Sequence, residues 1–547
     1  MNILNKRFFP HCITTGKGAA GKVLFLCSAA AYLPERSISM IAYSRFIHHY
    51  TKSYFKFKEP LSGDYTVFLG DEEVPVYTCR ISKYPFNRVW TGYQRPYEQS
   101  EGASFVNLES DEPVTLTVKT SLPHERILLK PYAKNVSIKE EDGAVTFTLS
   151  ENGTYVLECD SYHHCLYIFN NKPIAAPAPA DVTYFFGPGI HMPGKITLHS
   201  GESVYVDRDA MVYGCVFAEN VENIHIFGNG VFDDTGEGRI DINCYEPYTN
   251  GNLKFYDCRN VRVEGVHLRN SAIWCINLFH CFDVTVDGVS VFGQWRYNTD
   301  GADIVNSQDI IIRNSFIHSF DDTITIKGID RYADTNCERI LAENCVLWCD
   351  WGKTCEIGIE TACREYKDIT FRNCDILRAG NTALDIQNGD CAEVSNITFE
   401  NITVEYNAFD TEAVYQASDE MLYGKENTVT YPALVSISNH RFRNPGNTAA
   451  WGVPGELLAK VDLDGITPGG VRDVTVKNVR VYYDELLPRV NGKYYTPIYI
   501  HSVLENVVYE NIALSGISVN GEPVTKDTAV LHADAVRNLT FDGETLC

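Results

Sequence analysis

Two acidic clusters lie near the middle of this chain, Asn298-Thr299-Asp300-Gly301-Ala302-Asp303 and, farther on, Asp321-Asp322. A short run of alternating aliphatic and polar residues follows each cluster and predicts a half-buried strand. If the two strands pair in parallel in successive turns of a coil, equivalent backbone positions lie about 4.8 Å apart. Asp300 then lies close to Asp321 and Asp322. Crowding of this kind splits carboxylate pKa values into one proton donor and one ionised base.

The composition restricts the partners of the protein. The chain has 547 residues, 44% of them hydrophobic, and a formal net charge of -24 from 71 acids and 47 bases. This length predicts two or three domains unless the chain forms a solenoid. The negative charge argues against nucleic acid or an anionic membrane surface as a partner. A neutral ligand fits better, and the sequence is silent on the oligomeric state.

The eighteen cysteines show no close-set disulfide framework and no Cys-x-x-Cys pair with zinc spacing. Cys345 and Cys374 fall at matching positions of successive repeats, where a small apolar residue would pack inside. We therefore expect free, buried thiols, which favours a reducing compartment. No metal or cofactor is expected.

The first fifty residues do not fit the pattern of the rest. A short apolar run within residues 22–33 follows basic residues, but no small-residue cleavage site comes after it, and the run is too short to span a bilayer. We expect residues 1–50 to be a poorly ordered leader or an over-extended start. The predicted location is cytoplasmic, with secretion as the alternative.

Residues 51–170 are predicted to form a β-sandwich domain. Short β-rich runs alternate there with turn signals such as Asp142-Gly143 and Asn152-Gly153. Residues 171–181 contain Pro173, Pro177 and Pro179 among alanines and are predicted to be an extended linker.

An irregular repeat occupies residues 182–547. An Asn or Asp followed by alternating aliphatic residues recurs at positions 223, 260, 283, 309, 368, 396, 473, 506 and 538. All-strand repeats with no helical period predict a parallel β-helix. Asn314, Asn344, Asn373 and Asn401 follow the strand in successive repeats and are expected to form a hydrogen-bonded ladder. The interval 405–470 breaks the period, and it is either a wall of the binding face or a surface excursion.

A second strand in each repeat traces the predicted active face. It is aligned on the aliphatic residues Leu278, Ile304, Ile326, Ile357 and Ile386, whose mostly polar neighbours would form the floor of an open groove. Several aromatic residues flank these strands and are either sugar-stacking or packing side chains, namely Trp274, Trp295, Tyr297, Trp348 and Trp351.

The two acidic motifs resemble the catalytic signature of the polygalacturonase-like glycoside hydrolases and the related dextranase clan. The segment Phe186-Gly187-Pro188-Gly189-Ile190-His191 also resembles the first coils of that clan, and the preceding sandwich resembles its dextranase-type members. The resemblance implies an all-β fold, a right-handed parallel β-helix preceded by a β-sandwich, and an inverting glycosidase. It implies that Asp321 is the general acid and that Asp300 and Asp322 hold the attacking water.

The chain departs from the pectinases of this clan at two places. Their Gly-His-Gly motif aligns with Gly352-Lys353-Thr354, and their Arg-Ile-Lys motif aligns with Asp385-Ile386-Gln387. The basic pair that would hold a uronate is thus absent. We expect a neutral, α-linked glycan as substrate, with a polygalacturonase-type pectin hydrolase as the alternative.

Further residues are expected to line the groove. Asn298, Trp295, Asp303, Glu356, Asp385 and Gln387 are candidate sugar-binding residues. Lys327 and Lys353 either bond sugar hydroxyls and orient the carboxylates or balance local charge. A polysaccharide lyase, a glycosyl transferase and a non-catalytic glycan-binding module remain open; products with reducing ends and no unsaturated sugar would distinguish a hydrolase from a lyase.

Overall fold

The computed structural model describes residues 41–45, 59–83, 97–238, 251–390, 392–407, 412–415, 424–429, 431–439, 469–502, 507 and 509–547. Most of the predicted leader and most of the insertion 405–470 lie outside the described residues. The helices in the described part of the chain are four short 3₁₀ turns, Tyr97–Gln99, Tyr132–Lys134, Pro179–Asp181 and Asp330–Tyr332. Within it, no helix has the length and apolar character needed to cross a membrane.

The N-terminal part forms two packed antiparallel sheets with one parallel pairing. Residues of both sheets meet in one buried cluster that includes Val67, Leu116, Leu157 and Ile168. The first sheet contains Ile41–Tyr43, Tyr77–Ser82, Ser100–Ser110, Ile127–Lys130, Gly153–Cys159 and Ser161–Asn171. The second contains Tyr65–Leu69, Glu72–Val74, Val114–Thr120, Lys139–Glu141 and Ala144–Leu149. Since Ile41–Tyr43 pairs with Ser100–Ser110, the sandwich begins inside the range predicted as leader.

The rest of the chain coils into a parallel β-helix with three sheets, which we call A, B and C. Sheet A contains Tyr184–Phe186, Ser203–Val206, Glu222–Gly228, Arg259–Glu264, Phe282–Asp287, Gln308–Arg313, Cys337–Glu343, Glu365–Arg372, Tyr509–Ser515, Val536–Phe541 and the first halves of Glu393–Tyr406 and Val471–Tyr483, whose second halves join sheet B. The other strands of sheet B are Gly189–Leu198, Ala210–Glu219, Val231–Asp233, His267–Arg269, Ser290–Phe292, Phe316–Ser319, Val346–Cys349, Asp375–Arg378 and Ser518–Val519.

Sheet C carries the candidate site. It contains Leu253–Tyr256, Ile276–Phe279, Ala302–Val305, Ile324–Gly328, Lys353–Thr361, Thr382–Asn388, Ala433–Asn439, Ile498–Ser502 and Leu531–Ala533, and the ends of Gly189–Leu198 and Ala210–Glu219 bend into it. Short antiparallel partners complete the described strands, namely Glu412–Tyr415 with Gly424–Val429, Glu522–Pro523 with Ser518–Val519, and Glu544–Thr545 with Val536–Phe541.

The inward face of each sheet is a column of aliphatic side chains, and this column sets the register. In sheet C, Leu278, Ile304, Ile326, Ile357 and Ile386 pair in succession and have no solvent-exposed surface. This is the alignment predicted from the sequence. Alternation places every second residue inside the coil, so a slip of one residue would bury the polar set instead.

Asparagine or aspartate stands near the start of most strands of sheet A because the chain takes a left-handed turn there, and Arg339 takes this position in Cys337–Glu343. Asn260, Asp283 and Asp309 have φ of 50°, 56° and 60°, a conformation that short polar side chains tolerate. Asn511 follows Asp473 at this position in the next coil, and its amide donates to Asp473 at 2.9 Å. Asn506, where the sequence predicted the repeat, lies outside the described residues.

The predicted ladder after the strand is present. The amide of Asn344 donates to Asn314 at 3.3 Å, and that of Asn401 donates to Asn373 at 3.1 Å.

The sandwich covers sheet B through buried polar contacts as well as an apolar cluster. The Tyr167 hydroxyl lies 2.7 Å from His318 Nδ1, and Arg269 bridges Glu59 and Asp233 at 3.2 and 2.5 Å. Trp348 is packed in this interface, stacked on His318. Sheet C, on another face of the coil, is left to form the groove.

The described cysteines are free, and each except Cys547 is buried. Cys345 and Cys374 occupy matching inward positions, and each thiol donates to a carbonyl two residues earlier at 3.3 Å. The predicted free thiols are therefore confirmed in this part of the chain, while the compartment, cytoplasmic or secreted, stays a prediction.

Ile310 and Ile311 provide a test of the register. Ile310 points inward with no exposed surface, whereas its neighbour Ile311 points outward. Ile310→Ala should cost about 2–5 kcal/mol of stability because it leaves a cavity in a packed column. Ile311→Ala, the matched control, should cost much less. Equal falls in the midpoint of thermal unfolding would contradict this register.

Candidate active site

The catalytic candidates lie where the chain passes from sheet B to sheet C. Backbone hydrogen bonds link equivalent positions of successive coils there. The Gly301 N–H donates to the Asp322 carbonyl at 2.8 Å, and the Thr323 N–H donates to the Lys353 carbonyl at 2.9 Å. Asp300, Asp322 and Lys353 therefore stack one above the other, at the start of three successive strands of sheet C. The structure brings together the three aspartates that the sequence singled out.

Glycine at two positions permits this close stacking. A Cβ atom at Gly301 would lie 2.4 Å from the Thr323 carbonyl oxygen. A Cβ atom at Gly352 would lie 2.4 Å from Asp322 Oδ1 and 2.7 Å from Asp321 Oδ1. Both distances at Gly352 are shorter than van der Waals contact, so any side chain there would displace the carboxylate pair.

Lys327 is the cation that holds the cluster together. Its Nζ lies 2.8 Å from Asp300, 2.9 Å from Asp303 and 3.7 Å from Asp322, and it stands 4.2 Å from the centre of the Trp274 ring. The side chain is buried. One ammonium group faces three carboxylates, and together they cannot all ionise without large repulsion. Some of these carboxyl groups therefore retain their protons.

The pKa values of Asp321 and Asp322 are shifted in opposite directions although the two residues are adjacent. Burial, reinforced by the neighbouring Asp322, raises the pKa of Asp321 well above its ordinary value. For Asp322, Lys353 and Lys327 outweigh burial and lower the pKa. The backbone N–H of Lys353 also donates to Asp322 Oδ1 at 3.0 Å. The pair thus contains a protonated acid beside a carboxylate.

Asn298 and Asp300 complete the cluster. The Asn298 amide donates to Asp321 Oδ2 at 3.2 Å. Burial raises the pKa of Asp300 well above its ordinary value, and Lys327 partly offsets this effect. Asp300 Oδ1 is buried and has no hydrogen-bond partner among the described residues. A buried acceptor of this kind suits a bound water or a substrate hydroxyl.

The polar stack on sheet C differs from the expected groove floor. Equivalent positions of four successive coils are occupied in turn by Asp303, Thr325, Glu356 and Asp385. None of the three acids has exposed surface. Burial raises the pKa of both Asp303 and Asp385 to about 7, and it raises that of Glu356 well above its ordinary value. These acids therefore lie beneath the groove surface, beside the lysines.

Lys353 reaches the surface above this stack. Its side chain is 19% exposed, and its Nζ lies 3.2 Å from Glu356 and 3.8 Å from Asp322. Gln387 is half-buried at the end of its strand. The groove thus presents an ammonium group one coil before Asp385, in the strand that pairs with the strand of Asp385.

Most of the flanking aromatic side chains are packing residues. Trp274, Tyr297, Trp348 and Trp351 are buried, and Trp351 stacks on Phe320. Trp295 is the exception among the tryptophans flanking sheet C, since it is only partly buried.

Two residues near the cluster were missed by sequence reasoning. Glu360 is buried and acts on both Lys327 and Asp303. It lies past the aligned part of its strand, where the register shifts between Ile326 and Gly328. Arg296 stands between Trp295 and the catalytic segment, and no motif marks it.

One group of described side chains has the spacing of metal ligands, namely Cys215, Asp234 and Glu237. The Lys254 ammonium lies 3.0 Å from both Glu237 oxygens and 3.3 Å from the Cys215 sulfur. A lysine therefore already supplies positive charge at this place.

Comparison with known proteins assigns the family. Residues 173–450 match the model of glycosyl hydrolases family 28. The chain belongs to this family. Membership confirms the predicted resemblance and agrees with the predicted class, a glycosidase acting on carbohydrate.

Curated relatives are distant. The chain is 24% identical over 244 residues to a probable rhamnogalacturonase A of Aspergillus oryzae, covering 42% of this chain and 49% of the relative. It is 24% identical over 314 residues to exopolygalacturonase X-1 of Emericella nidulans, covering 49% and 67%. The chain thus spans about half the length of the rhamnogalacturonase it matches.

A solved structure extends the likeness to the whole architecture. Dex49A from Penicillium minioluteum superposes with a TM-score of 0.60 at 12% identity, covering 91% of this chain and 98% of that one. This likeness concerns the fold. It confirms the predicted right-handed parallel β-helix that follows an N-terminal β-sandwich.

The buried acids of sheet C predict an unusual dependence of stability on pH. Asp385 has a pKa of about 7 in the fold and about 3.9 when unfolded. The folded state then binds the extra proton, so stability falls as pH rises from about 4 to about 7. Asp385→Asn should flatten this fall in thermal midpoint, whereas Asp71→Asn, at an exposed turn of the sandwich, should leave it unchanged. A profile identical to that of the parent protein would refute the assignment.

Proposed function

We propose that this chain hydrolyses an O-glycosidic bond of a pectic, galacturonate-containing polysaccharide, by direct attack of water with inversion at the anomeric carbon. The observation that carries the proposal is the cluster of Asp300, Asp321 and Asp322, where one carboxyl group is held protonated and its neighbour is held ionised. The family match supports glycoside hydrolysis as the use of this cluster.

Each aspartate has a distinct part in this mechanism. Asp321, protonated at neutral pH, donates its proton to the oxygen of the leaving sugar. Asp322 carries the negative charge that accepts a proton from the attacking water. Asp300 offers the unpaired Oδ1 as a second acceptor that orients the water. Lys327 keeps the carboxylates in place and limits their mutual repulsion.

The pectic substrate is favoured over the neutral glycan expected from the sequence. The relatives quoted above include a probable rhamnogalacturonase and an exopolygalacturonase. The electrostatic objection to a uronate is also weaker than the formal charges suggest. Asp385 is buried and its pKa is raised to about 7, while the Lys353 ammonium reaches the surface in the neighbouring coil, whose strand pairs with that of Asp385. A uronate there would meet a cation.

Asp321→Asn tests the catalytic assignment. The amide has nearly the same shape but cannot donate an acidic proton, so the turnover number should fall about 10²–10⁴-fold. Folding and glycan binding should persist. Asp309→Asn is the matched control, since Asp309 is an exposed acid on sheet A that pairs with Arg339. Asp300→Asn and Asp322→Asn should behave like Asp321→Asn, and the losses should be far from additive. Near-native turnover by Asp321→Asn would refute the role.

A comparison of substrates tests the glycan. Galacturonan and rhamnogalacturonan oligosaccharides should be cleaved faster than neutral α-linked oligosaccharides of equal length at matched concentration. NMR of the fresh product should show the inverted anomer, as direct water attack requires. A clear preference for the neutral glycan would contradict the pectic substrate and support the neutral glycan expected from the sequence. A product that retains the anomeric configuration would exclude direct attack of water.

A further inference from the structure

Tyr97 is an exposed aromatic side chain that the sandwich domain places beside the active-site segment. Its side chain is 57% exposed, and among the large hydrophobic residues found exposed in the described part of the chain it is the only aromatic one. Its ring meets the ring of Trp295 edge-on, with centroids 6.0 Å apart. An exposed aromatic ring beside a half-buried one offers an apolar surface of the kind that binding sites use.

The Tyr97 ring is held in a fixed position. The guanidinium of Arg80 lies 3.6 Å from its ring centre. Arg80 is itself fixed by hydrogen bonds to the Ser100 hydroxyl and carbonyl at 2.8 and 3.3 Å, and the Ser100 hydroxyl donates to the Tyr97 carbonyl at 2.6 Å. Such preorganisation lowers the entropic cost of binding a ligand.

Trp295 and Arg296 connect this ring to the catalytic segment. Both are half-buried. The Thr299 hydroxyl donates to the Arg296 carbonyl at 2.8 Å, which ties Arg296 to the residue before Asp300. Five residues span at most about 18 Å, so an oligosaccharide in the groove can touch Trp295 and the carboxylates together.

The charge of Arg296 is available to a ligand. Its Nη1 donates to the Glu237 carbonyl at 3.1 Å, and it forms no ion pair with the described residues. The acids that act on it are otherwise engaged. Asp233 binds Arg269 at 2.5 Å, and Glu237 binds Lys254 at 3.0 Å. Burial, reinforced by Glu237, raises the pKa of Asp234 well above its ordinary value, so Asp234 carries a proton.

We propose that Tyr97, Trp295 and Arg296 form a subsite for a uronate residue of the substrate, away from the bond that is cut. The aromatic rings would pack against the apolar face of the sugar, and the guanidinium would bind its carboxylate. The sandwich domain then takes part in substrate recognition. This subsite supplies the cation that the alignment of Asp385 and Gln387 lacks, and it rests on the proposed pectic substrate.

The test uses Tyr97→Ala and Arg296→Gln in the full chain, with Met192→Ala and Arg372→Gln as matched controls. Met192 is an exposed apolar residue, and Arg372 is an exposed arginine on sheet A. Each variant should keep the thermal midpoint of the parent protein. The substrates are a short and a long galacturonate oligosaccharide and a carboxyl-reduced, neutral form of the long one.

On the long acidic oligosaccharide, Tyr97→Ala should lower kcat/KM about two- to tenfold, the range of an aromatic contact. Arg296→Gln should lower it about ten- to a hundredfold, the range of a hydrogen bond to a charged group. Arg296→Gln should leave the short and the neutral oligosaccharides nearly unaffected, and the controls should match the parent on all three.

Parental activity of both variants on the long acidic substrate would overturn the subsite. So would an equal loss by Arg296→Gln on all three substrates, since that result indicates only a structural role.

If the parent protein cleaves none of the acidic oligosaccharides, the proposed function fails, and calorimetric binding of the long one still decides the subsite. Binding that is weakened by Arg296→Gln would support it. Binding that is absent, or equal in the variant, would overturn it.

Discussion

The structure depends on the in-register stacking of successive coils. The strands of sheet C pair in parallel with those of the neighbouring coils, so equivalent residues of successive coils are kept about 4.8 Å apart. Backbone bonds from Gly301 to Asp322 and from Thr323 to Lys353 continue this stacking into the turns. The active-site geometry is therefore a consequence of the same register that fills the core with aliphatic side chains, and neither can shift without the other.

Two lysines offset the repulsion between the carboxylates that this stacking brings together. Asp300, Asp303 and Asp322 share the buried ammonium of Lys327, and Lys353 serves Asp322 and Glu356. Because acids outnumber cations in a buried place, the excess is accommodated by protonation rather than by ionisation. This excess of buried carboxyl groups over lysines leaves Asp321 protonated beside the ionised Asp322. Such a split is what general acid–base chemistry requires.

The two domains divide the surface of the β-helix between them. The sandwich packs on sheet B, where polar bridges such as Arg269 with Glu59 fix its position. Among the described residues, the edge of the sandwich that carries Tyr97 reaches the segment before Asp300, beside sheet C. The position of the sandwich thus decides which face of the β-helix it covers and which sandwich residues lie next to the proposed substrate groove.

The sequence alone determined the repeat, its aliphatic columns and the meeting of Asp300 with Asp321 and Asp322. These features follow from the alternation of aliphatic and polar residues along each strand and from the spacing between successive repeats. Both are local properties of the chain. The local sequence pattern did not predict the structure correctly where strand pairing is irregular. Asn511 continues the cassette after Asp473, the sandwich starts before residue 51, and Glu360 joins the cluster only through a shift in register.

Only the tertiary structure decided how far each polar side chain is from water. Asp303, Glu356 and Asp385 were expected on an open floor and are buried, Lys353 reaches the surface, and the flanking tryptophans other than Trp295 pack inside. Burial depends on what neighbouring coils and the second domain place over a residue, and those neighbours lie far away in sequence. For the same reason the approach of Tyr97 to Trp295, separated by about two hundred positions of the chain, left no trace in the sequence pattern.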